Sequence, residues 1–273
     1  MLNSKYNIIE KISEGSFGMV YKAENKRTKD LVAIKIENKN NIYKTLKNEA
    51  RIYQYLGKLD GFPQLKWFSS NNIYDYLVLD LLGKPLSKII NINQKINLTV
   101  ALTIGIQIIE RVKVLHNHDL IHRDLKPDNF LFGLEHQTNK IFLIDFSFCK
   151  RYKINGIHIK EKSITKIIGT PNFVSLNVHK GIEPSRRDDI ESCIYIIIYI
   201  INGNLPWLHC KNNEEILVSK KELIINENIP QIIKIMLDYV YKLKFNEEPN
   251  YNYLIKLIKD FILDYNTNKI TEI

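Results

Sequence analysis

The sequence predicts an α+β protein in which a small strand-rich N-terminal lobe is followed by a larger, mainly helical lobe. Three observations predict this class. Apolar and polar residues alternate over residues 6–37, as they do in half-buried strands. Residues 98–117 instead repeat their apolar side chains at helical spacing. Gly83 and Pro85 interrupt the pattern between these regions, so we expect the lobes to meet near residues 80–84.

The N-terminal lobe, about residues 1–81, is predicted to contain strands and one helix. Glycine, asparagine and aspartate residues, which favour turns, divide residues 6–37 into three short antiparallel strands. Apolar residues near helical spacing predict a helix over residues 41–57 that ends at Gly57. Residues 73–82 return to the strand pattern.

The C-terminal lobe, about residues 82–273, is predicted to be mainly helical and to complete a single domain with the first lobe. The longest apolar stretch, residues 193–201, is far shorter than the roughly 20 residues that a membrane span requires. We therefore expect a buried core helix there and no membrane span. The predicted helices of this lobe lie at residues 98–117, 188–202, 231–243 and 251–264.

Composition indicates a folded intracellular protein. Hydrophobic residues make up 45% and charged residues 25% of the 273 positions, which is too apolar for a disordered chain. Three cysteines without a CxxC pair argue against a disulfide framework, so we expect the protein in the cytoplasm or the nucleus. The net charge of +9 comes from dispersed basic residues, which favours a solvated basic surface over a specific nucleic-acid site.

A glycine-containing turn lies between two predicted strands, within Ser13–Val20. Gly15 and Gly18 let the backbone bend tightly and approach a ligand closely, and the N–H groups of such a turn can bind phosphates. The same two glycines are equally consistent with a simple hairpin turn, and both interpretations stay open on this motif alone.

Lys35 ends the apolar strand sequence Val-Ala-Ile-Lys, residues 32–35. A buried ammonium group requires an anionic partner, and Glu49 on the next predicted helix can supply one. The alternative is a surface lysine whose ammonium group extends into solvent. The glycine turn 17–20 residues upstream favours the paired lysine.

The segment HRDLKPDN, residues 122–129, carries the most specific pattern. Asp124 can accept or orient a hydroxyl proton, and Lys126 can neutralise charge on a transferring phosphoryl group. Asn129 offers a neutral oxygen to a metal ion. A short apolar strand then leads to Asp145, whose carboxylate can bind Mg²⁺ together with Asn129. Each residue alone would be read as a cap or turn former, but their order predicts phosphoryl transfer.

Together these motifs resemble the signature of eukaryotic protein kinases. The closer resemblance is to the casein kinase I family, and it extends from residue 6 to about residue 264. The motif DLKPDN, which contains Lys126, resembles the corresponding motif of serine/threonine protein kinases. The segments that carry the family likeness are LLGKPL (81–86), HRDLKPDNFLFG (122–133), GIEPSRRDDIES (181–192), NGNLPW (202–207) and FNEEPNYNYL (245–254).

The resemblance implies a bilobal protein-kinase fold and a monomeric serine/threonine protein kinase. Such an enzyme transfers the γ-phosphoryl group of ATP to serine or threonine hydroxyls of protein substrates. The resemblance implies Asp124 and Lys126 as catalytic residues, Asn129 and Asp145 as Mg²⁺ ligands, and Asp189 as the anchor of the catalytic loop. The residues implied to hold ATP are Ile12, Ser13, Glu14, Gly15, Ser16, Phe17, Gly18, Met19, Val20, Ala33, Lys35, Glu49, Leu79, Asp80 and Leu82.

The resemblance also implies more specific roles at the ATP site. Glu49 would pair with Lys35, and Leu79 would be the gatekeeper beside the adenine site. Asp80 to Leu82 would form the hinge that hydrogen-bonds adenine.

Three positions depart from the family pattern. Ser13 replaces the first glycine of the usual triplet, and Ser147 replaces the glycine of the DFG triplet. Asn172 stands where the family commonly has an arginine that helps bind the phosphate of a primed substrate. We therefore expect that the enzyme keeps its activity and that its preference for phospho-primed substrates is weakened. A preference for acidic substrates is compatible with these departures. We also expect that phosphorylation of the activation loop, about residues 148–170, is not required.

Two alternatives differ in class from a protein kinase. A pseudokinase scaffold would bind nucleotide without turnover, and the serines at 13 and 147 motivate it. A small-molecule kinase would share the Asp124, Asn129 and Asp145 pattern, but such families lack segments like GTPNFVSLN and SRRDDIES. Mg-ATP binding without turnover would favour the scaffold, and assays with sugars or choline would test the small-molecule kinase.

Overall fold

Two compact units make up the chain, and neither is continuous in sequence. The computed structural model describes residues 2–15, 18–42, 44–90 and 96–271. The first unit comprises Met1–Lys84 and Leu131–Ser147, and the second comprises Pro85–Phe130 and Phe148–Ile273. The segment 131–147 therefore belongs to the strand-rich unit, although it follows the long helix of the other unit in sequence.

The first unit is built on a five-stranded antiparallel sheet in the order β1-β2-β3-β5-β4. The three strands predicted within residues 6–37 are confirmed, as is the strand predicted over 73–82. The strands are β1 (Tyr6–Gly15), β2 (Gly18–Asn25), β3 (Leu31–Asn38), β4 (Leu65–Ser70) and β5 (Tyr74–Asp80), with a short pair β7 (Phe130–Phe132) and β8 (Ile141–Leu143). The helices are α1 (Leu2–Lys5) and α2 (Leu46–Leu56).

Helix α2 begins five residues later than the periodicity of residues 41–57 predicts. The buried carboxylate of Glu37, on β3, accepts hydrogen bonds from the backbone N–H groups of Thr45 and Leu46 and from the Thr45 hydroxyl. The N–H groups at the start of a helix have no acceptor within the helix, and the Glu37 carboxylate on β3 supplies one. The helix therefore starts where Glu37 caps it, and it ends before Gly57 as predicted.

Strand register gives the sheet two chemically different faces. One face buries an apolar cluster, and α2 packs against β4 and β5. Val20 on β2 and Leu77 on β5 are both paired with Lys35 on β3. Because directly paired residues of antiparallel strands point to the same side, these three residues lie together on the other face. The apolar cluster consists of Tyr6, Ala23, Val32, Ile34 and Val78.

The second unit is mainly helical, and its four predicted helices are all present. Helix α4 packs on α6 and α9, and α6 also packs on α8. The helices are α3 (Leu86–Ile89), α4 (Leu98–Asn117), α5 (Leu176–His179), α6 (Arg186–Asn202), α7 (Asn213–Lys221), α8 (Gln231–Tyr241) and α9 (Tyr251–Thr271). The short strands are β6 (Leu120–Ile121), β9 (Lys150–Arg151), β10 (Lys153–Ile154) and β11 (Ile157–His158), and 3₁₀ turns occur at Pro127–Asn129, Glu135–Gln137 and Glu222–Ile225.

Helix α6 forms the core of the second unit. Its N-terminus is fixed by Asp188, whose Oδ2 accepts the backbone N–H of Ser185 at 2.7 Å. The apolar stretch 193–201 is almost fully buried within α6, as predicted for a core helix. Among the described residues, no helix combines the length and apolarity that crossing a bilayer requires.

Candidate active site

Lys35 lies between two carboxylates inside the first unit. Its Nζ is 2.7 Å from Glu49 Oε2 and 3.0 Å from Asp145 Oδ1, and it also donates to Ser147 Oγ at 3.2 Å. Only 14% of the Lys35 side chain is exposed, compared with 2% for Glu49 and 22% for Asp145. The alternative of a surface lysine with a solvated ammonium group is therefore wrong.

Charge is not balanced in this group, because one cation faces two anions. Burial lowers the pKa of Lys35, but attraction to Glu49 and Asp145 outweighs burial and the net shift is upward. Burial raises the pKa of Glu49, Lys35 opposes that shift, and the neighbouring Asp145 reinforces it. The two carboxylates carry more negative charge than Lys35 neutralises, so the group can bind a further cation.

Asp145 is held by its backbone and by two hydroxyl groups. Its φ of 64° lies in the left-handed region, which is uncommon for a residue with a side chain. Its backbone N–H donates to Tyr53 Oη at 3.2 Å, while Ser147 Oγ donates to its Oδ1 at 2.6 Å. The serine that replaces the DFG glycine thus bonds directly to the carboxylate that the sequence assigns to Mg²⁺.

The two glycines of the β1–β2 turn differ in whether the surrounding backbone requires glycine. Gly15 and Gly18 are paired across the hairpin. Gly18 has a φ of 126°, and a Cβ there would lie 2.1 Å from the carbonyl oxygen of Ile36. A Cβ on Gly15 would meet no atom of the described residues within 4 Å. The fold therefore requires Gly18 but not Gly15. Ser16 and Phe17, which the resemblance places in the ATP site, lie outside the described residues.

The remaining residues assigned to ATP divide between the two sheet faces. Val20 pairs with Ser13 as well as Lys35, and Ala33 pairs with Leu79, so these side chains share the face of Lys35. Glu14 pairs with Met19 in the adjacent row, which points to the opposite face. Ile12 lies in the irregular part of the β1 register and is half exposed.

Asp80, the last residue of β5, has a structural role. The Asp80 carboxylate bonds to Lys66 Nζ and to the backbone N–H of Gln64, at 2.7 and 2.8 Å. Leu82 is half buried, and among the described residues no backbone hydrogen bond to it is recorded. The side chain of Asp80 is therefore occupied within the first unit, and the backbone of Leu82 is the better candidate for contact with a ligand.

Asp124 is the centre of a second polar group, in the second unit. Its side chain is 4% exposed. Lys126 Nζ donates to Oδ2 at 2.7 Å, and Thr170 Oγ1 donates to Oδ1 at 2.7 Å. Lys126 also bonds to Thr170 Oγ1 at 3.2 Å. Thr170 is a member of this group that sequence analysis placed only at the end of the activation loop.

The loop around Asp124 is fixed from two sides. Asn129 Nδ2 donates to the backbone oxygen of Asp124 at 2.8 Å, which leaves the amide oxygen of Asn129 as its acceptor atom. Asp189 accepts the backbone N–H groups of His122 and Arg123 at 2.7 and 2.9 Å. These bonds stabilise Arg123 at its positive φ of 70°.

Asp189 is itself held by a buried histidine that sequence analysis did not single out. His116 Nε2 lies 2.9 Å from Asp189 Oδ2, and His116 Nδ1 lies 2.8 Å from the Tyr251 hydroxyl. Burial lowers the pKa of His116, although Asp189 opposes the shift. Burial raises the pKa of Asp189, but its hydrogen bonds to His116 and the His122 backbone outweigh burial and lower it overall. A neutral His116 beside an ionised Asp189 is the consistent arrangement.

Gly169 lets the Thr170 segment approach the Asp124 loop. Its φ is 100°, and a Cβ there would lie 2.5 Å from the backbone oxygen of Arg123. Only glycine fits at that distance. The close approach brings Thr170 onto the Asp124 carboxylate.

A buried carboxylate already neutralises the basic residues beside this loop. Glu183 Oε1 pairs with Lys150 and lies 3.9 Å from Arg123 Nη1, and the Glu183 side chain is 9% exposed. Arg123 Nε donates to the backbone oxygen of Phe148 at 2.7 Å. The start of the activation loop is thus bonded to Arg123 through Phe148 and to Glu183 through Lys150, without a phosphate group.

The residues that the resemblance assigns to Mg²⁺ each carry a suitable ligand atom. Asn129 of the second unit offers an amide oxygen and Asp145 of the first unit a carboxylate, and Mg²⁺ prefers such hard oxygen ligands, with phosphates and waters completing its shell. Among the described residues, no cluster of three or more His, Cys, Asp or Glu side chains could hold a metal without such help. The chemistry of the residues therefore fits a metal that arrives with a nucleotide.

The comparison with known families agrees with these two polar groups. The model of the protein kinase domain family matches residues 6–270, which is nearly the whole chain. The chain therefore belongs to the protein kinase family. Enzymes of this family transfer phosphoryl groups to proteins and in general use ATP and Mg²⁺.

Proposed function

We propose that the chain is a serine/threonine protein kinase similar to casein kinase I, which transfers the γ-phosphoryl group of ATP to serine and threonine hydroxyls. The observation that carries this proposal is the contact of Lys126 with both Asp124 and Thr170. A lysine two residues after the catalytic aspartate is typical of the serine/threonine branch. Its ammonium group lies where it can neutralise charge next to a hydroxyl acceptor.

The chain's own residues supply positioning and electrostatics for this reaction. ATP with Mg²⁺ supplies the phosphoryl group when bound. Asp124 accepts a hydrogen bond from a hydroxyl, as its contact with Thr170 illustrates, and in the same way orients the acceptor hydroxyl of the substrate. Lys126 neutralises developing charge, while Lys35 is held by Glu49 to bind phosphate oxygens.

The proposed metal ligands are Asn129 and Asp145, and the proposed ATP residues are those that share the Lys35 face of the sheet. Ser13, Val20, Ala33 and Leu79 belong to that face. For Glu14 and Met19 on the opposite face, backbone contact is the consistent assignment. The proposal places adenine against the backbone of Leu82 rather than the side chain of Asp80.

The likeness to casein kinase I is supported by the second unit. Both arginines of SRRDD are buried: Arg186 bonds to the backbone oxygen of Asn246 at 2.9 Å, and Arg187 bonds to that of Leu243 at 2.9 Å. The Arg186 bond joins two segments that resemble the family, 181–192 and 245–254, and the Arg187 bond ends two residues before the second of them. The resemblance therefore corresponds to a set of connected contacts and not only to sequence letters.

Activity without phosphorylation of the activation segment is part of the proposal. Activation segments of many kinases are ordered when a phosphate pairs with arginine. Here the Glu183 carboxylate is already paired with Lys150 and close to Arg123. We also propose weakened recognition of primed substrates, because Asn172 carries no charge.

We further propose that the chain acts as a single two-lobed domain and a monomer in the cytoplasm or the nucleus. Its cysteines support a reducing compartment, since all three are free thiols. Burial raises the pKa of Cys149 and of Cys193, so neither is a reactive thiolate at neutral pH.

A peptide kinase assay tests the proposal. The purified chain, treated with phosphatase that is then removed, is given Mg-ATP and matched peptides with an unprimed serine, a phospho-primed serine, an acidic serine context or a tyrosine acceptor. We expect phosphate on serine, and on threonine in a peptide with that single replacement, but not on tyrosine, with little advantage for the primed peptide. Labelling of tyrosine alone, or activity only before phosphatase treatment, would contradict the corresponding part of the proposal.

A pseudokinase scaffold is the second candidate, and one observation favours it. Asp145 bonds to both Lys35 and Ser147, and these bonds compete with coordination of Mg²⁺. Calorimetry distinguishes the two functions when it is run beside the peptide assay. Binding of Mg-ATP with no transfer to any peptide would support the scaffold, and transfer would exclude it.

A further inference from the structure

Lys220 is a fully buried lysine in the second unit that the proposed mechanism does not use. It occupies the penultimate position of α7. Its Nζ donates to the backbone oxygens of Pro171 and Val174, at 2.9 and 2.6 Å. It also lies 3.1 Å from Nε2 of His179. The side chain therefore ends on the backbone of the segment that follows Gly169.

The surroundings of this amine are unusual for a buried lysine. Its Nζ lies over the rings of Tyr195 and Trp207, 4.8 and 5.2 Å from their centroids. Among the described residues, no carboxylate forms an ion pair with it. Burial lowers its pKa to about 7, and the more distant Glu191 only partly opposes that shift. Burying an amine without an ion-pair partner lowers the stability of the fold. Its hydrogen bonds to the carbonyl groups offset part of that loss, and they indicate a role for the amine on this segment.

Trp207 holds the same segment from a second position. Its indole Nε1 donates to the backbone oxygen of Asn172 at 2.9 Å. Lys220 and Trp207 together therefore bind three of the four carbonyl groups between Pro171 and Val174. Each side chain is completely buried, so these bonds are made away from competing water.

The held segment carries Thr170 at its N-terminal end. Thr170 donates to Asp124 and accepts from Lys126, and two backbone bonds from Phe173 and Val174 to its carbonyl oxygen form a tight turn. A displacement of the carbonyl groups at 171–174 is therefore transmitted through this turn to the hydroxyl on the catalytic carboxylate.

We propose that Lys220 and Trp207 are positioning residues that fix the 170–174 segment and through it set the geometry of Thr170 on Asp124 and Lys126. This inference rests on the proposed function. Neither residue touches the reacting groups. Lys220 has at least two N–H donors whether its amine is protonated or neutral, and two are what the carbonyl groups of Pro171 and Val174 require. The positioning is therefore expected to persist on both sides of neutral pH.

The test compares Lys220→Met and Trp207→Phe with Lys221→Met in the full chain. Lys221 is the adjacent residue of α7 and is exposed, so its replacement by methionine removes the same charge from the same helix. Steady-state kinetics with the serine peptide are measured beside amide hydrogen exchange of residues 170–174. We expect both positioning variants to lower kcat about tenfold or more, since small misplacements near a reacting group are costly. The KM for ATP should stay within about twofold, because Lys35 and Glu49 belong to the other unit.

Exchange separates positioning from general stability. Both variants should speed exchange of the 170–174 amides while the amides of α4 and α9 stay protected, and Lys221→Met should change neither measurement. If kcat is unchanged, or if exchange rises equally throughout the second unit, the inference is wrong. If Lys220→Met does not fold, Trp207→Phe decides, since it keeps an aromatic ring in the core while it removes the indole donor. If the wild-type chain transfers no phosphate at all, the proposed function fails, and selective exchange at 170–174 still shows whether the two residues hold the segment.

Discussion

The Lys35 group of the first unit and the Asp124 group of the second unit show opposite charge arrangements. In the first, one ammonium group faces the carboxylates of Glu49 and Asp145. In the second, one carboxylate receives donors from Lys126 and Thr170. The first group therefore carries an excess of negative charge, and the second is balanced.

This difference assigns different tasks to the two units. An excess of carboxylate favours binding of a further cation, as expected beside Mg²⁺ and phosphate. A balanced carboxylate with a hydroxyl already on it is arranged to orient a hydroxyl acceptor. We therefore expect variants of the first group to act on stability and nucleotide binding, and variants of the second to act on turnover.

The largest expected effect is on turnover, from Asp124→Asn. The amide keeps the shape of the side chain but cannot accept two hydrogen bonds from Lys126 and Thr170 as the carboxylate does. We expect kcat to fall about 10³-fold, which corresponds to about 4 kcal/mol of barrier. Affinity for Mg-ATP, measured by calorimetry, should change little. Phosphorylation of casein at the wild-type rate would show that Asp124 is not the catalytic residue.

The next effect is on folding and nucleotide binding, from Lys35→Met. The change leaves the buried carboxylate of Glu49 and the half-buried carboxylate of Asp145 without their shared cation. Breaking a buried pair by removing one partner typically lowers the free energy of unfolding by about 3 kcal/mol. Denaturant unfolding measures that loss, and calorimetry should find no binding of Mg-ATP. Lys39→Met is the control, because that lysine pairs with Asp75 at a half-buried edge of the same unit. An unchanged unfolding midpoint for Lys35→Met would contradict the burial argument.

Periodicity predicted the long elements well because they follow local rules. The helix over residues 98–117 has the bounds that the apolar spacing predicts, and Asn97 caps it by accepting the Thr99 N–H. The start of α2 was missed because Glu37, on a strand, caps it. No spacing rule over residues 41–57 contains that information.

Site residues with a fixed spacing were predictable, and those brought together only by tertiary contacts were not. Asp124, Lys126 and Asn129 lie within six residues of one another. Thr170 meets Asp124 across 46 positions because Gly169 permits the approach. Lys220 and Lys221 are indistinguishable in sequence, and sequence analysis therefore gave no sign that one of the pair is buried against backbone carbonyl groups.

A smaller effect tests the serine at the DFG position. Ser147→Gly removes the hydroxyl that donates to Asp145 Oδ1, which frees one acceptor position on that carboxylate. A single hydrogen bond of this kind contributes about 1 kcal/mol, so the KM for Mg-ATP should fall by no more than about fivefold. Kinetics at several Mg²⁺ concentrations measure the change. A rise in KM would show that Ser147 helps to place Asp145, which would weaken the argument for competition.

The smallest expected effect is on the pH dependence of stability, and the two units contribute with opposite signs. Burial lowers the pKa of His116, so the unfolded chain takes up this proton first as pH falls. Stability from the neutral histidine is complete above pH 7 and decreases as pH falls through about 6.5, the ordinary pKa of histidine. Burial raises the pKa of Glu49, so protonation of that carboxylate favours the folded state at still lower pH.

Unfolding of wild type and His116→Gln at pH 7.5 and 5.5 isolates the histidine contribution. Glutamine can still hydrogen-bond to Asp189 and Tyr251 but does not titrate, so the variant should lose the part of the slope that His116 causes, about 1 kcal/mol over this range. His136→Gln serves as the matched control, because it makes the same replacement at an exposed histidine in a 3₁₀ turn. An identical slope in His116→Gln and wild type would mean that the pKa of His116 does not change on folding, which would contradict the burial argument. If His116→Gln instead removes a stability contribution that grows as pH falls, His116 is protonated in the folded state. The pair with Asp189 would then be ionic, and the anchor of the catalytic loop would weaken at alkaline rather than acidic pH.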